Sequence, residues 1–257
     1  MPDEERKTMK NLSRALASFL LVGVLSIGAA AQTGAARYDS DIQSRVSTEL
    51  GKKAVFHNLQ ASTEDGIVTL NGDVNTYQEK LDAAKKVRKM NHVQGVRNLI
   101  AVSTNASDSE LQAKLNHKLS YDRIGYDNRF NFVTVSVKDG VATMIGEVRQ
   151  PISSDSAFYI VSNMPGVKEV VNNVKVAPVS GFDDRIRIAA TRAIYGDSVL
   201  NRYAIDPVQP IRIVVDNGKL SLYGTVDSKM DKDVAGIRAG SVFGVFQVQN
   251  NLVVAKS

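Results

Sequence analysis

No cysteine occurs in the 257 residues, which excludes disulfides, thiolate zinc sites and cysteine nucleophiles and leaves folding to packing alone. Histidine is nearly as scarce. His57, His92 and His117 stand in unrelated contexts, without the His-x-His or His-x-x-x-His spacing that would bring metal ligands together. No Gly-x-Ser-x-Gly elbow is present, and the paired glycines bracket a strand rather than the strand-to-helix join of a phosphate-cradling loop. Concentrated positive charge is missing too: 32 Lys and Arg are set against 27 Asp and Glu, with the signs interleaved, for a net charge of +5. That argues against nucleic acid as a partner, while an anionic surface tolerates the balance. The acidic pairs Asp183-Asp184 and Asp231/Asp233 read as helix-start charges rather than acid–base machinery. The sequence therefore nominates no catalytic residue, metal ligand or cofactor, and is expected not to be an enzyme.

Long apolar runs are also absent, with one short exception. Lys10 and Arg14 precede an apolar stretch at 15–27, and the small residues Gly28, Ala29, Ala30 and Ala31 follow. These are the three parts of a cleavable export signal, and the stretch falls short of the roughly 20 residues a membrane span requires. The expectation is a signal peptide over 1–31 and a mature chain starting near Gln32. Met9-Lys10-Asn11 reads as a more natural beginning than the acidic Asp3-Glu4-Glu5.

What the chain does have is an internal repeat. Asp65-Gly66, Asp139-Gly140 and Asn217-Gly218 are each followed six residues later by a second glycine (Gly72, Gly146, Gly224) and then by Val74, Val148 or Val226. Asp-Gly and Asn-Gly between alternating apolar residues predict hairpins with type I′ turns, because both central positions need positive φ. Leu59, Ala61 and Thr63 alternate before the first turn, Val133, Val135 and Val137 before the second, and Ile211, Ile213 and Val215 before the third. Each hairpin thus has one apolar face in need of cover.

Helices supply that cover. Ile42, Val46 and Leu50, then Leu111, Leu115 and Leu119, then Ile186, Ala190 and Ile194 form stripes of period four ahead of the hairpins. Ser40 with Gln43, and Ser107 with Glu110, have capping-box spacing. A second helical stretch follows each hairpin, and a last apolar strand carries Asn98, Asn172 or Asn250 at one shared position. The second glycine stands 20 residues before His92, Gly166 and Gly244 alike. The fold class read from this pattern is α+β: three tandem αββαβ units, each a three-stranded sheet packed against two helices, over 38–103, 108–177 and 181–255.

This unit resembles the BON domain, with the turn-and-glycine pattern at the positions quoted and the late Gly-Val at Gly166-Val167 and Gly244-Val245. The first unit departs with His92-Val93, and the third carries a longer stretch before its hairpin. The resemblance implies a non-enzymatic protein of the periplasm, similar to osmotic-stress proteins, that binds phospholipid or envelope surfaces in envelope maintenance. A chaperone-like or assembly protein gripping other envelope proteins is the alternative it leaves open. The long loops ahead of the second and third hairpins place aromatics beside arginines, a pairing suited to lipid headgroups or protein partners. Tyr121, Arg123, Tyr126, Arg129, Phe130, Arg202 and Tyr203 are the candidate interaction surface, with peripheral membrane contact at most.

Overall fold

The computed structural model describes residues 34–121, 128–205 and 211–255. The expected signal peptide, Arg123 and Tyr126 lie outside the described residues, as does the side chain of Tyr121. In the first repeat α1 (Asp39–Gly51) leads to β1 (Gln60–Glu64), β2 (Ile67–Asn71), β3 (Asp73–Val74), α2 (Tyr77–Arg88), β4 (Gly95–Asn98) and β5 (Ala101–Val102). The second has α3 (Asp108–Tyr121), β6 (Phe132–Lys138), β7 (Val141–Val148), α4 (Pro151–Ser162) and β8 (Glu169–Val176). The third has α5 (Gly181–Tyr195), β9 (Arg212–Asp216), β10 (Lys219–Val226), α6 (Lys229–Gly240) and β11 (Gln247–Val254). This is the α+β architecture the pattern predicts.

Each three-stranded sheet has the second hairpin strand in the middle, antiparallel to the first and parallel to the last, and in the first repeat β3 and β5 form a separate parallel pair. The hairpins close in two residues, between the pairs Glu64↔Ile67, Lys138↔Val141 and Asp216↔Lys219. Asp65, Asp139 and Asn217 hold φ of 50°, 55° and 47°, and the glycines after them 76°, 81° and 75°, so both central residues are left-handed as a type I′ turn demands. The second glycine solves another problem. A Cβ on Gly72 would overlap the carbonyl of Asn58, and one on Gly146 that of Phe132, so the neighbouring chain crosses there only because the side chain is missing.

Helix starts differ in part from the sequence expectation. Ser107 and Glu110 do form a capping box, Glu110 N donating to Ser107 Oγ at 3.4 Å and Ser107 N to the Glu110 carboxylate at 3.1 Å. Ser40 does not cap, because α1 begins at Asp39; Gln43 instead donates to the Ala61 carbonyl and accepts from Thr63. Two further boxes, Thr76 with Glu79 and Ser228 with Asp231, start α2 and α6. The shared asparagines tie the crossover helix to the last strand. Asn98 and Asn250 donate to the carbonyls of Lys80 and Lys232, and Asn172 donates to Ser154 Oγ.

Each repeat keeps its own apolar core, and neighbouring repeats share side chains across their joints. Tyr77 of the first packs against the second core, and Phe130 of the second packs against the third. Arg212, Ile213, Val214 and Val215 of β9 are all buried, so both faces of that strand are covered. One face meets the helices of its own repeat. On the other side Phe132 stacks on Tyr223 with ring centroids 4.0 Å apart.

Candidate functional site

One device recurs where the leading helix meets the hairpin. Asp39 accepts from the backbone N–H of Asp65 and Gly66, both at 2.8 Å. Asp108 does the same for Asp139 and Gly140 at 2.6 and 2.9 Å, and Asp183 for Asn217 and Gly218 at 3.1 and 2.9 Å. A carboxylate offers two acceptors, and a type I′ turn directs two adjacent N–H groups at it. Asp183 is therefore a turn clamp, and the cap of α5 is Ser180, which accepts from Asp183 N. Asp231 is fully buried as the N3 residue of its capping box, while Asp233 pairs at the surface with Lys229. The clamps fix each turn beside the late glycine, or His92, of its own repeat, where the backbone N–H groups of Gln94, Lys168 and Phe246 donate to the carbonyls of Gly66, Gly140 and Gly218. There His92 holds φ 68°, against 92° and 91° for Gly166 and Gly244, and its ring stacks on Tyr38 at 3.8 Å.

Of the loop residues nominated from sequence, Arg129, Phe130, Arg202 and Tyr203 are described, and all four make contacts within the fold. Phe130 is half-buried against the third core, with the Arg149 guanidinium 5.5 Å from its ring centre. Arg129 lies 5.8 Å from the ring of Tyr195, whose hydroxyl donates to the Ile211 carbonyl at 2.6 Å. Tyr203 is buried; its hydroxyl donates to Asp231 and accepts from Asp227 N. Arg202 is exposed but donates to Asp231 and pairs with Asp227. Burial pushes the Asp231 carboxyl upward, and the donors Tyr203, Ser228 and Arg202 outweigh it, so its pKa falls. These aromatics and arginines close the joint and the third core.

The side chains that are left free lie elsewhere on the third repeat. Along α5, Phe182, Arg185, Ile188, Ala189 and Arg192 are exposed and fall on one helical face, while Ile186, Ala190 and Ile194 face the core. Neither Arg185 nor Arg192 makes a side-chain hydrogen bond or ion pair among the described residues. The repeat comparison sharpens the point. Asp41 and Glu110 stand where Arg185 does, and Thr48 and His117 where Arg192 does, so among the described residues the third leading helix alone has arginines at both positions. The spacing i, i+3, i+7, i+10 of Phe182, Arg185, Ala189 and Arg192 is present in the sequence, beside the core stripe of the same helix.

No group of three or more His, Asp or Glu side chains among the described residues converges as a metal site. A groove of about 450 Å³ beside α1 holds His57, the one titratable residue among those lining it. No helix of the described residues is long and apolar enough to cross a membrane.

Three copies of one αββαβ unit, joined through their sheets and crossover helices, define a tandem-repeat α+β protein. The family model for the BON domain matches residues 38–104, 107–178 and 197–256, and the chain belongs to that family. The third match begins after α5, so the helix with the free arginines precedes it. No curated protein matches the chain. Among solved structures the chain is similar to CdsD, a structural protein of the type III secretion system of Chlamydia trachomatis. That likeness has 13% identity and a TM-score of 0.25, over 84% of this chain and 93% of the other. The periplasmic domain of PrgH is also similar, with 13% identity and a TM-score of 0.21, over 78% of this chain and 96% of the other.

Proposed function

We propose that this protein is a non-enzymatic, peripheral binder of anionic phospholipid surfaces in the periplasm, exported by the signal over 1–31 and serving envelope maintenance. The observation that carries the reading is the exposed face of α5. Arg185 and Arg192 are unopposed cations beside Phe182 and Ile188, and the chain carries a net charge of +5. Each basic residue near an anionic membrane contributes about 1 kcal/mol, and a half-exposed apolar side chain next to it adds contact with the interface. Family membership supports the same ligand class.

Flotation with phosphatidylcholine vesicles, with and without phosphatidylglycerol, tests the reading. The wild-type protein should float only with the anionic lipid, and binding should weaken as salt shortens the Debye length from about 10 Å at 0.1 M towards 3 Å at 1 M. Arg185→Glu with Arg192→Glu should abolish flotation. The paired control Lys85→Glu with Arg88→Glu, exposed on α2, should retain most of it. Equal losses from the two pairs would reduce the site to diffuse charge. Absence of flotation together with suppression of a client's aggregation would favour the chaperone reading.

A further inference from the structure

The end of the third repeat presents aromatic rings that its core does not need. In the turn after α6, Val242 is buried and Val245 packs against the core, whereas Phe243 is 96% and Phe246 74% exposed. Phe246 lies over the Gly218 turn, with its ring centre 6.4 Å from that of Phe182, which itself covers Gly244. Val179, in the connector just before α5, is fully exposed as well. The corresponding positions in the other repeats are Asn91 and Gln94, then Pro165 and Lys168. Two repeats without aromatics at these positions and one phenylalanine-tipped repeat on the same backbone separate what the fold requires from what it does not. The turn geometry is common to all three; the rings are peculiar to the third.

These rings continue the α5 face through Phe182, with Arg185 one turn along that helix and Arg192 about 15 Å along it. Cations beside protruding apolar rings match an interface in which phosphate lies above hydrocarbon. We infer that Phe243 and Phe246 form an insertion tip that passes below the headgroups into the acyl region of an anionic bilayer. This inference rests on the lipid reading above and adds a second, salt-resistant component to it. The arginines recruit the protein to the surface, and the tip holds it there by removing ring area from water.

The absence of tryptophan from the chain makes the test direct. Phe243→Trp, at a position with nothing packed over it, creates a single-tryptophan reporter. On adding anionic vesicles its emission should shift to the blue, and vesicles with brominated acyl chains should quench it. Phe243→Ser with Phe246→Ser should float at low salt but lose roughly tenfold or more of the binding that remains at high salt. Flotation without quenching would overturn the insertion tip and leave the surface-binding reading standing. Failure of the wild-type protein to float on any anionic vesicle would remove both. A blue shift without lipid that grows with protein concentration would instead make the tip a contact between copies of this chain, and would sink the inference.

Discussion

The two joints between repeats are built from different chemistry. Between the first and second, α2 meets α4 through small polar links: Ser162 Oγ with Gln78 Oε1 at 2.9 Å, and Gly166 N donating to the Asn75 carbonyl at 3.3 Å. Tyr77 is a large side chain of the first repeat packed against the second core. Between the second and third, Phe130 and Phe132 reach the third repeat, Arg212 donates to the Asn128 carbonyl, and Arg149 pairs with Asp184 at 2.9 Å. Arg187 is buried there, bound to Asp184 and to the Val215 carbonyl, with its Nε unpartnered among the described residues. Glu147 adds a buried Oε1 without a hydrogen-bond partner among the described residues. Repeats of nearly identical topology can thus join thinly or deeply, and the choice lies in residues outside the repeating pattern. The deep joint also ties α5, and with it the proposed membrane face, to the second repeat through Arg149 and Asp184.

The comparison breaks most decisively at Arg187. Arg187→Ala removes the buried charged donor to the Val215 carbonyl, while the part-exposed Asp184 keeps Arg149, and should cost about 2 kcal/mol in urea unfolding. A loss below about 0.5 kcal/mol would mean that the joint contributes little. Next in size is the aromatic stack: a double-mutant cycle on Phe132→Ala and Tyr223→Ala should give a coupling of about 1 kcal/mol.

Glu147 sharpens the comparison through pH. Burial raises its pKa, Asp216 and Asp183 add to the rise, and Arg187 and Lys175 oppose it. The native state therefore keeps this proton at a pH where the unfolded chain has released it, so stability falls as pH rises through the folded pKa. Glu147→Gln should raise the melting temperature near pH 7 and lose that advantage at about pH 4, where the native carboxyl is already protonated. An equal effect at both pH values would refute a proton-linked joint. The smallest effect belongs to the thin joint, where a cycle on Gln78→Ala and Ser162→Ala should show a coupling of about 0.5 kcal/mol. A value matching that of the aromatic stack would erase the distinction between the joints.

The hairpins, the helix stripes and the threefold repetition were legible in the sequence because each rests on local chemistry. Asp65-Gly66 needs only its own φ preferences, and Ile186, Ala190 and Ile194 need only the helical period. The interaction surface was harder, since Arg129 and Phe130 look the same in sequence whether they face a ligand or a neighbouring repeat. Tyr203 was read as a loop residue and lies buried on Asp231, because a segment 28 residues away folds back beneath it.

The sequence by itself determined that three αββαβ units exist, where their turns lie, and that no thiol chemistry is possible. Only the tertiary structure decided that Asp183 clamps the Asn217-Gly218 turn, that β9 is covered on both faces, and which arginines stay free. Periodicity specifies which side of an element is apolar. Whether the other side meets water or another repeat depends on contacts between residues far apart in the chain, which no local pattern encodes.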